Sequence, residues 1–135
     1  MEKLPERDNF CFVCGKKNPK GLKLEFKKEN GKVYTTFFLD KYYQGYSNII
    51  HGGVISMILD EAMAHLQTEE ERFLTGKITV KFIKPLKVEE KVTVTAWIEK
   101  NRKRLKETRA VMKKENGETV AEAEAIMFVK RENTE

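Results

Sequence analysis

Hydrophobic and polar residues alternate along most of this chain, in runs of the length that β-strands take. Leu22, Leu24 and Phe26 alternate with Lys23, Glu25 and Lys27, and a second run follows at Val33, Thr35, Phe37 and Leu39. Between them, Glu29-Asn30-Gly31 supplies a tight turn, because Asn-Gly accepts the left-handed backbone that a two-residue hairpin requires. Later runs at Ile78, Val80 and Phe82, at Val92, Val94, Ala96 and Ile98, and from Leu105 to about Met112 predict three more strands, the first of them ended by Pro85. A second Asn-Gly pair, Asn116-Gly117, leads into Ala121, Ala123, Ala125, Met127 and Val129. The Ala and Glu of this last run favour a helix and its alternation favours a strand; its place after a hairpin turn decides for strand.

One segment has a different period. Residues 53–67 place apolar side chains on nearly every side of a helix about four turns long, which predicts a helix buried nearly all round. Two strands before it and four after it are most simply packed by wrapping an antiparallel sheet around it, an α+β domain of order ββαββββ. A chain of 135 residues, 40% hydrophobic and without repeat or linker, is expected to form a single domain over residues 1–135. Its ordered core should span about residues 9–130, with fraying ends at residues 1–9 and 131–135.

Composition narrows the class. No apolar run approaches the roughly 20 residues of a membrane helix, and the first eight residues are dense in charge, so a cytoplasmic protein is expected. With only Cys11 and Cys14, a disulfide-stapled secreted scaffold is excluded. The net charge is +5, but it is spread as 10 basic against 6 acidic side chains in residues 1–50, 7 against 8 in 51–100, and 9 against 7 in 101–135. There is no basic tail, and the densest basic cluster, Arg102-Lys103-Arg104, has no aromatic platform beside it, so neither nucleic acid nor membrane is an expected partner.

Asp60 and Glu61 stand in the middle of the apolar helix, where an unpaired carboxylate is costly, and Asp is scarce here: Asp8 and Asp40 are the only others, against 18 Glu. His51-Gly52-Gly53 opens the same helix. Its first amides are unpaired donors at the positive end of the helix dipole, the chemistry of an oxyanion site. Gly52 and Asp60 are eight residues apart, about 12 Å along a helix, whereas a base and an oxyanion donor meet one carbonyl at about 3 Å. One chain cannot present both to one substrate; a two-fold dimer with antiparallel helices supplies two such sites.

His51-Gly52-Gly53 followed by Asp60, within HGGVISMILDEAMAH, resembles the signature of hotdog-fold acyl-CoA thioesterases, particularly the PaaI-like group from phenylacetate degradation. CFVCGKKNPKGLKLEF resembles the opening of one bacterial and archaeal branch of that group, and the likeness runs over residues 11–129. It implies a sheet wrapped around a central helix, a homodimer with shared sites or a dimer of dimers, no cofactor, and hydrolysis of an acyl-CoA or aryl-CoA thioester. It makes Asp60 the carboxylate that activates water or attacks the carbonyl, Gly52 the amide that polarises the thioester oxygen, and Thr75 the hydroxyl that positions water. Around them His51, Gly53, Glu61 and Asn48 are expected to contact substrate. Some relatives carry Asn or Gln six residues before the His; Gly45 stands there, with Gln44 and Asn48 as replacements. Lys84, Arg102 and Arg104, with Lys81, Lys87 and Lys103, are the expected rim for the phosphates of coenzyme A. Phe37, Phe38, Tyr42, Tyr43, Tyr46 and Phe73 are candidates for the acyl wall, although core packing accounts for each equally well.

Two rival functions remain open from sequence. A hydratase or dehydratase of the same fold would join His51 to Asp60 across the interface, against which Gly52-Gly53 and Thr75 favour hydrolysis; a non-catalytic acyl-CoA-binding module is the other. Cys11-Phe12-Val13-Cys14-Gly15 looks like half a zinc ribbon, but a structural zinc needs four ligands and no second such pair exists, so free thiols in a turn and no metal are expected. A thioredoxin-like role lacks its βαβ setting. Glu61 and His65, one helical turn apart, are two ligands at most, and a hydrogen bond between them is expected.

Overall fold

Left-handed backbone at Asn30 and Gly31, with φ of 52° and 76°, closes the first hairpin in the computed structural model, which describes residues 4–131. The turn joins β1 (Lys27–Glu29) to β2 (Lys32–Phe37). A short 3₁₀ turn (Lys41–Tyr43) and a loop lead to α1 (Gly52–Ala64), followed by β3 (Glu71–Phe82), β4 (Val92–Asn101), β5 (Leu105–Lys114) and β6 (Thr119–Arg131). The six strands form one antiparallel sheet in the order β1-β2-β4-β5-β6-β3, and α1 packs against β2 to β6. The architecture is the expected helix wrapped by an antiparallel sheet. Among the described residues no helix is long and apolar enough to cross a membrane.

The helix lies close to the sheet because the strands make room for it. On the inner face of β4, β5 and β6 stand Ala96, Ala110, Ala121, Ala123 and Ala125, all buried, with Met112 and Met127 filling the space around them. Against these the helix sets Ile55, Ile58, Leu59, Ala62 and Met63, a stripe of helical period. The alanine-rich last run is therefore a strand: small side chains there bury against the helix, and that packing outweighs their helical propensity.

Three expectations are corrected. The run at Leu22, Leu24 and Phe26 does not form a strand; Lys23 is left-handed (φ 56°), and the Leu22 and Leu24 amides donate to Phe12 O and Val13 O, so pairing in the sheet begins only at Lys27. The helix is not buried all round within one chain: Val54, Met57, Asp60 and Glu61, off the stripe, are only half-covered. The strand expected at 78–82 starts seven residues earlier, at Glu71. Of the ends expected to fray, residues 1–3 and 132–135 lie outside the described residues, while Arg7 and Arg131 are held by Glu61 and Glu71.

Leu59→Ala, which removes a fully buried side chain from the stripe, should cost about 2–5 kcal/mol in urea denaturation. Ala123→Leu, which adds volume where the helix sits on the sheet, should cost about 1–3 kcal/mol by overpacking, although it adds apolar surface.

Candidate active site

His51 caps the helix: its backbone is extended (φ −60°, ψ 132°) and its Nδ1 accepts from the Gly53 N–H at 2.8 Å. An accepting Nδ1 places the proton of a neutral ring on Nε2. With the Gly53 amide taken up by the cap, the Gly52 N–H is left as the helix's first donor, and among the described residues no protein group accepts from it. An open cleft of about 670 Å³ lies here, formed by Gly45, Tyr46, His51 and Gly52 with the apolar Ile49, Ile55, Phe82, Ile83 and Leu86. Gly45 packs against the imidazole, since a Cβ added to it would stand 3.5 Å from His51 Cδ2. Gln44 does not reach the cleft as a replacement: its Oε1 accepts from the Asn48 N–H at 3.0 Å, and Asn48 sits in the same loop with left-handed backbone (φ 65°).

Two turns further along the helix, Asp60 points from its flank to β3, where Thr75 Oγ1 donates to Asp60 Oδ1 at 2.6 Å. A β-bulge makes this contact. Thr75 pairs with Met127 and Lys77 with Ile126, which leaves Gly76 as an extra residue in β3. The bulge switches the inward side chains from Phe73 and Thr75 before it to Ile78 and Val80 after it. Only glycine fits the bulge with Phe128 where it stands, for a Cβ at Gly76 would fall 2.1 Å from that ring.

Glu61 faces the other way. Successive helical residues are rotated by about 100°, which sends Asp60 to β3 and Glu61 to the N-terminal loop. There Glu61 Oε2 receives Arg7 Nη1, Cys14 Sγ at 3.2 Å and Cys11 Sγ at 3.4 Å, and lies 3.1 Å from His65 Nε2. Burial, the largest single influence on this carboxyl, works to raise its pKa; the His65 hydrogen bond, the Arg7 charge and the Cys14 hydrogen bond together outweigh it and bring the pKa down to about 2. The Cys14 thiol is pushed up to about 12, first by burial and then by its hydrogen bonds to Cys11 and Glu61. The expected Glu61–His65 hydrogen bond is present. Arg7 had no signal in the sequence, because 54 residues separate it from Glu61.

The basic residues do not form one rim on one chain. Lys84 borders the cleft at the Phe82 end of β3, paired with Glu118, whereas exposed Arg102 and Arg104 belong to the β4–β5 turn, with the Arg104 carbonyl accepting from Val129 near the opposite end of the sheet. Of the aromatic wall candidates, Phe37 and Phe73 are core, and Phe38 and Tyr42 are surface residues; only Tyr46 lines the cleft. The further walls, Phe82, Ile83 and Leu86, were signalled only in part, by the apolar Phe82-Ile83 pair at the end of β3 before Pro85.

The family model for the thioesterase superfamily matches residues 47–121, from the loop before α1 to the first residues of β6. Among curated proteins no sequence matches this chain. In solved structures the fold recurs in smu.793 of Streptococcus mutans, crystallised with acetyl CoA (TM-score 0.75, 18% identity, 82% of this chain and 91% of that one). It recurs in the PaaI protein of the Escherichia coli phenylacetic acid degradation operon (TM-score 0.74, 17% identity, 79% of each chain). The thioesterase HI1161 of Haemophilus influenzae is similar as well (TM-score 0.79, 14% identity, 90% and 87%). With the family model covering more than half of its length, the chain belongs to the thioesterase superfamily, and it is a thioester hydrolase on the hotdog fold.

Proposed function

We propose that the protein hydrolyses acyl-CoA or aryl-CoA thioesters, in the cytoplasm, at sites shared between two copies of the chain. A half-buried helix carboxylate held by a threonine hydroxyl carries this reading. Thr75 spends its one proton on Asp60 Oδ1, which orients the carboxylate, and keeps its lone pairs to accept from a water beside Oδ2. Asp60 takes a proton from that water as it adds to the thioester carbonyl; the carbonyl oxygen gains charge at the Gly52 N–H, the C–S bond breaks, and the proton returns to the departing thiolate. Direct attack by Asp60 on the carbonyl needs the same placement. The apolar cleft at Gly52 suits an acyl or aryl group, and His51 borders the same space.

Gly52 and Asp60 lie about 12 Å apart on one helix, so the two halves of the chemistry come from different chains. β3 supports a specific pairing. It is an edge strand of twelve residues, and exposed Leu74, Phe82, Ile83 and Phe128 lie on or beside it. Two-fold antiparallel pairing along β3 satisfies that edge, covers those side chains, and sets Asp60 and Thr75 of one chain beside the Gly52 cleft of the other. The same two-fold brings Arg102 and Arg104 of one chain toward the Lys84 end of its partner, a phosphate rim that neither chain makes alone. Acetyl CoA in the S. mutans structure supports the ligand class.

Asp60→Asn should lower kcat by about 10²-fold or more in thiol release from an acyl-CoA panel while leaving the far-ultraviolet circular dichroism unchanged; undiminished turnover overturns the mechanism. Thr75→Val should lower kcat by about 10-fold with little change in KM, since it disturbs the orientation of the carboxylate rather than the cleft. Co-expressing Asp60→Asn with Gly52→Pro, which removes the amide at a helix position where proline is tolerated, should restore about a quarter of wild-type activity through mixed dimers. A protein that is monomeric in sedimentation contradicts the shared site.

A further inference from the structure

One cluster of reactive side chains takes no part in the proposed hydrolysis. Cys11 Sγ, Cys14 Sγ and Glu61 Oε2 all lie within 4.8 Å of one another, and His65 Nε2 is 3.1 Å from the same carboxylate oxygen. The four groups come from a loop and a helix that are about 50 residues apart in sequence, with |i−j| of 50 for Cys11 and Glu61. Thiols are weak hydrogen-bond donors, and two of them converging on one carboxylate oxygen is poor use of a half-buried charge. The same set is a good use of soft and borderline metal ligands. In a zinc tetrahedron, with bonds of about 2.3 Å to sulfur and about 2.0 Å to oxygen, the sulfur–oxygen edges are about 3.5 Å and the sulfur–sulfur edge about 3.8 Å. The separations to Glu61 Oε2, 3.4 Å from Cys11 Sγ and 3.2 Å from Cys14 Sγ, approach the sulfur–oxygen edges.

We propose that Cys11, Cys14 and Glu61 bind a divalent metal ion of the zinc class, with water in the fourth position and His65 hydrogen-bonded to the Glu61 carboxylate behind it. On binding, both thiols give their protons to solvent and ligate as thiolates, with no change of oxidation state. The loop is built for this. The Gly15 N–H donates to Cys11 O at 2.8 Å and the Cys14 N–H donates to Cys11 Sγ at 3.5 Å. A Cβ at Gly15 would fall 2.4 Å from Cys11 N and 2.5 Å from Asn9 O, so only glycine closes the turn that sets both sulfurs on one side. His65 is oriented by stacking on Phe26, centroids 4.3 Å apart. Charge also closes: two thiolates and a carboxylate around a dication leave a single negative charge, which Arg7, bonded to Glu61 and lying 3.3 Å from Cys14 Sγ, offsets. The ion clips the N-terminal loop to the C-terminal half of α1, on the flank opposite Asp60.

Zn²⁺ binding to the reduced, chelator-treated protein, with two free thiols per chain confirmed first, tests this independently of turnover. One equivalent per chain should bind with an affinity of about nanomolar or better, in competition with a chromophoric chelator, and raise Tm by about 5–10 °C. Co²⁺ in its place should show thiolate-to-metal charge transfer and the intense visible bands of a tetrahedral centre. Cys14→Ser should weaken binding by about 100-fold or more and Glu61→Gln by about 10-fold or more, whereas Asp60→Asn should bind as the wild type does, which separates this site from the hydrolytic one. Wild-type protein with both thiols free that binds no Zn²⁺, or affinity unchanged in Cys14→Ser, overturns the proposal. Should the cysteine variants fail to fold, the Co²⁺ spectrum of the wild type decides alone: without thiolate charge transfer the site is refuted.

Discussion

Close packing of one helix on an alanine-lined sheet is the contact from which the rest of this molecule follows. Ala96, Ala110, Ala121, Ala123 and Ala125 let the Ile55–Leu59–Met63 stripe sink onto β4, β5 and β6. With that stripe fixed, the helix cannot rotate, and its two flanks are assigned. Asp60 must look to β3 and Glu61 to the N-terminal loop. Two adjacent acidic residues therefore acquire unrelated surroundings from a single packing decision: one meets a threonine hydroxyl at the sheet edge, the other meets an arginine, two thiols and an imidazole.

The sheet edge adds the second constraint. A regular β3 would keep the parity of Ile78 and Val80 along its whole length and turn the Thr75 hydroxyl away from the helix. The extra residue at Gly76 reverses parity at that point, so that both the hydroxyl and the later apolar side chains face inward. The bulge sits against Phe128, whose ring takes the space a side chain at Gly76 would need. The placement of the Asp60–Thr75 pair is thus tied to one glycine in an edge strand.

Length supplies the third. A helix rigid enough to hold Asp60 also keeps it about 12 Å from Gly52, and the two ends face different parts of the molecule. In the proposed mechanism the cleft, with its apolar walls and uncommitted amide, is half of a reaction centre and the Asp60–Thr75 pair is the other half. The long edge of β3 is where the proposed pairing joins such halves, which makes assembly a requirement of that mechanism rather than an addition to it.

Much of this was legible in the residues. Period-two alternation and two Asn-Gly turns determined most of the strands, the apolar segment determined the single helix, and His51-Gly52-Gly53 with Asp60 marked the two helix positions that the proposed mechanism uses, because each is a local property of neighbouring side chains. Even the ambiguous run at Ala121–Val129 was resolved by the turn before it. What lay beyond the sequence were contacts between distant segments. The residues at Leu22–Phe26 alternate like a strand, yet their amides pair with the cysteine loop, and no local pattern reports that competition. Phe37 and Phe73 carry the same aromatic signal as a binding wall but fall into the core, while Phe82 and Leu86 form the wall. Arg7, Cys11, Cys14 and Glu61 meet only because the helix flank and the N-terminal loop are pressed together by tertiary packing, which acts over distances in sequence that periodicity cannot span.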